Sequence, residues 1–149
     1  MTIDYLTRIL NAQVYDVAIE SPLEAAPNLS ARLHNTLLLK REDMQEVFSF
    51  KLRGAYNKMA HLSPAALKRG VITASAGNHA QGVALAAKLL GKRATIIMPS
   101  DAPTAKLEGT RSYGAEVITY DRWSEDREAI GARISAETGA ELIRPYDDW

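Results

Sequence analysis

The chain has 149 residues, with 18 Lys plus Arg against 18 Asp plus Glu, no cysteine and a formal net charge of zero. That balance gives no support for binding nucleic acid or an anionic membrane, which need a basic face, and the missing thiol excludes disulfides, thiolate catalysis and cysteine-based zinc sites. Apolar residues at 46% and charged residues at 24% describe one ordinary globular domain rather than a disordered chain or a membrane span.

The elements before residue 50 are irregular. Ile3, Leu6, Ile9 and Leu10 have helical spacing. Val14 to Ile19 is mostly apolar and is predicted to be extended. Ser21-Pro22-Leu23-Glu24 reads as a helix start, with Ser as N-cap, Pro at the first helical position and Glu reaching back. Thr36 to Lys40 reads as a buried strand.

A regular rhythm follows. Ser49 is placed to cap a helix running through Leu52, Ala55, Tyr56 and Met59, and Ser63-Pro64 starts another that Gly70 ends. Four strands are predicted at Val71–Ser75, Ala94–Met98, Glu116–Tyr120 and Glu141–Arg144. Helices Ala80–Leu90, Ala105–Tyr113 and Ser124–Thr138 fill the gaps, with Gly91, Gly114 and Gly139 at their C-terminal ends. Repeated strand–helix–strand units imply parallel strands with right-handed crossovers. The expected fold is therefore α/β, an open parallel sheet with flanking helices. Ligands of such sheets sit beyond the carboxyl ends of the strands, so the loop after Ser75 is the first place to look.

Two stretches carry chemistry. In Ser49-Phe50-Lys51-Leu52-Arg53-Gly54-Ala55, Lys51 falls in the first turn of its helix, where the positive end of the dipole disfavours an ammonium. A partly desolvated lysine there would be shifted toward the neutral amine that attacks an aldehyde. A solvated lysine at a helix start fits the same position. In Ser75-Ala76-Gly77-Asn78-His79-Ala80-Gln81-Gly82, a strand passes into a helix through Gly77. The helix start offers unpaired N–H groups to an anion such as a carboxylate, and Asn78 adds an amide. An ordinary turn with a polar cap fits those residues equally well. His79 reads more simply as a capping or packing histidine than as a catalytic one. His34, His61 and His79 lack the spacing of a metal pair, so no metal site is expected. No G-x-G-x-x-G, P-loop or G-x-S-x-G occurs, which argues against a nucleotide-binding module and a serine hydrolase.

Taken together, the two stretches resemble the paired motifs of the fold-type II pyridoxal-phosphate (PLP) enzymes of the serine/threonine dehydratase group. Lys40-Arg41-Glu42-Asp43-Met44-Gln45, ahead of the lysine motif, is similar to that group as well. Val14-Tyr15-Asp16-Val17-Ala18 with Ser21-Pro22-Leu23 is similar to the opening of the biosynthetic threonine deaminases. The resemblance covers nearly the whole chain. It implies that Lys51 carries PLP as an internal aldimine, that Phe50 packs near the ring, and that Asn78 meets the phenolic oxygen. It further implies that Ser75, Gly77, Asn78 and His79 cradle the substrate carboxylate. The implied reaction is deamination of L-threonine to 2-oxobutanoate and ammonia, the first step toward isoleucine, by a cytoplasmic homo-oligomer. Catabolic serine/threonine dehydratase and serine racemase are the alternatives within the group. Residues 1–49 would belong to a large domain and 50–149 to a small α/β domain. One departure stands out: no two of the nine glycines are closer than five positions apart, so the glycine-rich loop that holds the PLP phosphate in this group is missing. The expectation is a truncated chain, inactive by itself, or a non-catalytic remnant.

Overall fold

The structure is a computed structural model and describes residues 4–147. Ile3, the first apolar position of the first predicted helix, lies outside the described residues. That helix, α1, spans Tyr5–Leu10, with the Asp4 carboxylate accepting from the Thr7 N–H at 3.1 Å. A 3-10 turn at Val14–Asp16 follows, in place of the extended run expected from Val14 to Ile19. The Val14 carbonyl takes the N–H of Ala18 at 3.0 Å, which closes the backbone on itself and leaves it nothing to offer a sheet.

Ser21–Glu24 does not start a helix. Leu23–Ala25 is strand β1, and after helix α2 (Pro27–Leu33) it pairs antiparallel with β2, Leu38–Lys40. The side chains that would have capped a helix are engaged elsewhere. Ser21 Oγ donates to Glu42 at 2.6 Å, and Glu24 takes Arg41 at 2.7 Å. The strand expected to be buried at Thr36–Lys40 is both shorter and exposed. Two three-residue strands form only a ribbon, and every residue of both is exposed.

From residue 51 the order is α3 (Lys51–Ala60), α4 (Pro64–Arg69), β3 (Val71–Ala74), α5 (Asn78–Leu89) and β4 (Ala94–Pro99). Then come α6 (Thr104–Ser112), β5 (Glu116–Tyr120), α7 (Arg127–Thr138) and β6 (Glu141–Leu142). Ser63 caps α4 by accepting from Ala66 N–H at 3.2 Å, as its position ahead of Pro64 suggested. Ser49 accepts from the Lys51 N–H at 3.2 Å, while Phe50 holds the cap position of α3. The last long helix starts at Arg127 rather than Ser124 because Asp126 is the cap, accepting from Glu128 N–H at 2.8 Å. Strand β6 stops at Leu142, short of Arg144. Beyond it Thr73 bridges with its side chain, Oγ1 donating to the Ile143 carbonyl at 2.7 Å.

The four strands lie in the order β5-β4-β3-β6, all parallel, so the expected open parallel sheet with flanking helices is present. Side chains alternate across it. Val71, Ala94, Ile96 and Met98 pack with Leu52, Met59 and the alanines of α5 on one face. Ile72, Ile97 and Tyr120 pack with Ile134 of α7 on the other. Helix α5 is buried continuously from His79 to Ala87, because the sheet, α3 and α6 enclose it on different sides. The chain leaves β3 through α5 toward β4, and returns from β5 through α7 to β6 on the far side of β3. The carboxyl ends of β3 and β6 therefore flank the point where the connections diverge to opposite faces, the usual crevice of open α/β sheets.

Candidate active site

Both motifs converge on that crevice. Helix α3 crosses α5 at closest approach where Gly82 meets the backbone of Lys51 and Leu52. A Cβ at position 82 would lie 3.1 Å from Lys51 C and 3.2 Å from Leu52 N. Glycine there lets two backbones touch, which brings the start of α3 beside the start of α5. The 0% exposure of Leu52 and Met59 fixes the rotation of α3 about its axis. Lys51, next to Leu52, is then half-buried at the rim of the core.

The Lys51 amine donates to the Pro145 carbonyl at 2.5 Å and lies 5.5 Å from the centroid of the Phe50 ring. A cavity of about 200 Å3 opens there, lined by Phe50, Lys51, His79, Ile143 and Pro145 among others. His79 is buried, with Nε2 3.1 Å from the Ile143 carbonyl. Thr73 Oγ1 meets the same carbonyl, so the segment after β6 is tied to β3 and α5 together. The phenylalanine itself is 58% exposed, leaving much of its ring surface open.

The remaining motif residues lie close by in the chain but face differently. Gly77 precedes α5 and its N–H donates to Ser75 Oγ at 3.3 Å. Ser75 lines a separate hollow of about 130 Å3 with Arg122 and Arg127. Asn78, exposed, opens α5 and accepts from the Lys106 ammonium at 2.9 Å, and Gln81 accepts from the same ammonium at 3.0 Å. Lys106 comes from α6 and has no counterpart in the sequence reading, since nothing local distinguishes it from a solvated lysine. The spacing effect of Gly82 also escaped that reading, because the contact is with a helix some thirty residues earlier.

A polar lock ties α3 to the first 45 residues. Arg53 binds Glu42 through Nε at 2.7 Å and a second nitrogen at 2.9 Å. This bidentate contact, supported by Ser21 and Gln45, holds the Glu42 carboxyl down at about 2, against the opposing effect of its partial burial. Gln45 bridges the N–H and carbonyl of Ile19 at 3.0 Å each. Tyr15 lies under the Arg53 guanidinium, 5.2 Å from the centroid.

An amine beside an aromatic face, at the switch point of a parallel sheet, suits a carbonyl-bearing aromatic cofactor. Residues 14–149 match the family described as pyridoxal-phosphate dependent enzyme. The chain belongs to that family. It is 54% identical over 148 residues to the L-threonine dehydratase biosynthetic IlvA of Burkholderia multivorans, covering 97% of this chain and 29% of the relative. Among solved structures, the processed form of threonine deaminase isoform 2 from Solanum lycopersicum has 50% identity and a TM-score of 0.87, covering 97% of this chain and 40% of that one. Maize serine racemase has 38% identity and a TM-score of 0.88, covering 95% and 43%. The chain thus spans between about a quarter and about a third of the length of the curated relatives it matches.

PLP is the cofactor of the family, and the residues present fit part of it. Lys51 would offer an amine to the aldehyde and Phe50, beside it at the same cavity, an aromatic surface to the ring, while the amide the resemblance assigns to the phenolic oxygen would come from Asn78 at the start of α5. The glycine spacing offers no cup of adjacent N–H groups for the phosphate. No helix among the described residues is long and apolar enough to cross a membrane.

Proposed function

We propose that this chain carries the lysine side of a PLP site and that its enzyme converts L-threonine to 2-oxobutanoate and ammonia. The observation that carries the reading is the cavity shared by the Lys51 amine and His79, which joins the two motifs at the carboxyl ends of β3 and β6. Bound PLP supplies an aldehyde that condenses with amines and a ring that accepts electron density from the substrate α-carbon. Lys51 would hold the cofactor through its amine, and its Nζ would be the group that takes the substrate α-proton. Ser75, Gly77, Asn78 and His79 receive the substrate carboxylate at the start of α5. Phe50, beside the Lys51 amine, would cover one side of the ring against water.

In this reading residues 1–49 belong to a large domain and 50–149 form a small α/β domain. In the same reading the enzyme is a cytoplasmic homo-oligomer serving isoleucine formation; the biosynthetic names of the relatives support the last of these alone. A second reading, serine dehydration or racemisation, is favoured by the likeness to maize serine racemase. The two are separated by relative turnover of L-threonine, L-serine and D-serine. The 149-residue chain alone, lacking a phosphate loop, is expected to form no 2-oxobutanoate, and robust formation by the purified chain would contradict that.

The test of the lysine is direct. The chain is mixed with PLP, reduced with borohydride and mapped by peptide mass. The label is expected on Lys51 and is expected to vanish in Lys51→Ala. A label that stays undiminished in that variant, carried by another lysine, overturns the assignment.

A further inference from the structure

The Lys106 ammonium reaches from α6 to the side chains of two residues in the second motif. It donates to Asn78 Oδ1 at 2.9 Å and to Gln81 Oε1 at 3.0 Å. An ammonium has donors only. It therefore decides which way each amide turns, with the carbonyl oxygen toward Lys106 and the NH2 group away from it. For Asn78, exposed at the first position of α5, the amide nitrogen is left as the group it presents to a ligand.

We infer that Lys106 is a positioning residue that locks the Asn78 amide with its NH2 group outward, as a donor to an anionic oxygen of the ligand. This rests on the reading of Asn78 as a partner of the PLP phenolic oxygen. Left alone, an exposed asparagine amide samples both flips, and one of them sets oxygen against oxygen. The ammonium removes that flip. Its charge also polarises the amide it holds, so the outward N–H groups donate more strongly. Gln81 completes the arrangement. It is 9% exposed and occupies one side of Lys106, which limits the ammonium to the place where Asn78 meets it. Its own amide fits because position 109 of α6 is glycine. A Cβ there would stand 2.5 Å from Gln81 Nε2. A glycine inside a helix costs stability relative to alanine, and here it makes room for the amide that flanks Lys106.

The experiment uses the 149-residue chain, isotopically labelled, with Lys106→Met, Lys106→Arg and Gly109→Ala. NMR reads the Asn78 side-chain carbonyl carbon and NH2 signals. PLP is then titrated, fixed with borohydride, and its fraction on Lys51 read by peptide mass. Lys106→Met is expected to shift the Asn78 amide signals toward solvated values and to raise the PLP concentration that half-loads Lys51 about tenfold. Lys106→Arg is expected to restore the signals and most of the loading. Gly109→Ala, which disturbs Gln81 without changing Lys106 or Asn78, is expected to give a smaller shift in the same direction, and it stands as the test if Lys106→Met fails to fold. Asn78 signals indifferent to Lys106, or loading of Lys51 unchanged in both Lys106→Met and Gly109→Ala, overturn the inference. Amide signals that answer to Lys106 in a chain whose Lys51 takes no PLP refute instead the reading of Lys51, and with it the ligand half of this inference.

Discussion

Replacing Gly82 by alanine sets two effects against each other, and the geometry decides the sign. In a helix interior the added methyl gains about 0.8–1.0 kcal/mol of propensity. Against this, the new Cβ would lie 3.1–3.2 Å from Lys51 C, Lys51 O and Leu52 N, all of them backbone atoms. Carbon pairs rest near 3.5–4.0 Å, so α3 must retreat from α5 by a few tenths of an ångström. Both helices are held by the core, with Leu52 and Met59 at 0% exposure, so the retreat is resisted. Overpacking of this kind costs about 1–3 kcal/mol, and the net expectation is a loss of about 1 kcal/mol. Gly54→Ala, in α3 itself, is the matched control, since a Cβ at position 54 meets nothing within 4 Å. It is expected to gain about 0.5–1 kcal/mol. Urea unfolding of the two variants beside the parent chain measures both. If Gly82→Ala stabilises the chain as much as Gly54→Ala does, the close crossing of the two motif helices is wrong, and with it the account of how Lys51 is brought to the crevice.

The lock between Arg53 and Glu42 makes stability depend on acid. A carboxyl held at about 2 in the folded chain against an ordinary 4.5 contributes stability that is fully present above pH 4.5 and lost as the pH falls toward 2. With solvent at its rim the contribution is about 1–2 kcal/mol. Urea midpoints of the parent and Glu42→Gln are therefore expected to differ at pH 7 and to converge near pH 2. Thr73→Val removes the buried 2.7 Å bond to the Ile143 carbonyl and is expected to cost about 1 kcal/mol in the same assay. Leu52→Ala, in the fully buried core, is expected to cost about 2–5 kcal/mol. Leu39→Ser, on the exposed ribbon, is expected to stay within about 0.5 kcal/mol. A Leu39 variant as costly as the Leu52 one would mean the ribbon is covered in solution.

Much of the part after residue 50 could be read from local chemistry. Ser63-Pro64 marks a helix start because both residues act on their own first turn. Val71, Ala94 and Glu116 open strands because runs bounded by glycine and polar turns suit a covered parallel sheet. The two motifs pointed to the family without any knowledge of where their side chains lie. The region before residue 50 was read less well for a physical reason. Ser21 and Glu24 have side chains that would cap a helix locally, yet each is drawn to a partner distant in sequence, Glu42 and Arg41 respectively. Long-range polar contacts of that kind leave no periodic trace.

Local pattern alone therefore determined the strand–helix alternation and the loop after β3 as the place to search, and the resemblance of two short motifs singled out Lys51 for test. Only the tertiary structure decided that Gly82 rests on the backbone of Lys51, that Lys106 faces Asn78, and that Ser75 opens on a different hollow from the lysine. Those outcomes depend on the angle and separation at which helices cross a sheet, and such distances are set by packing between residues far apart in the chain.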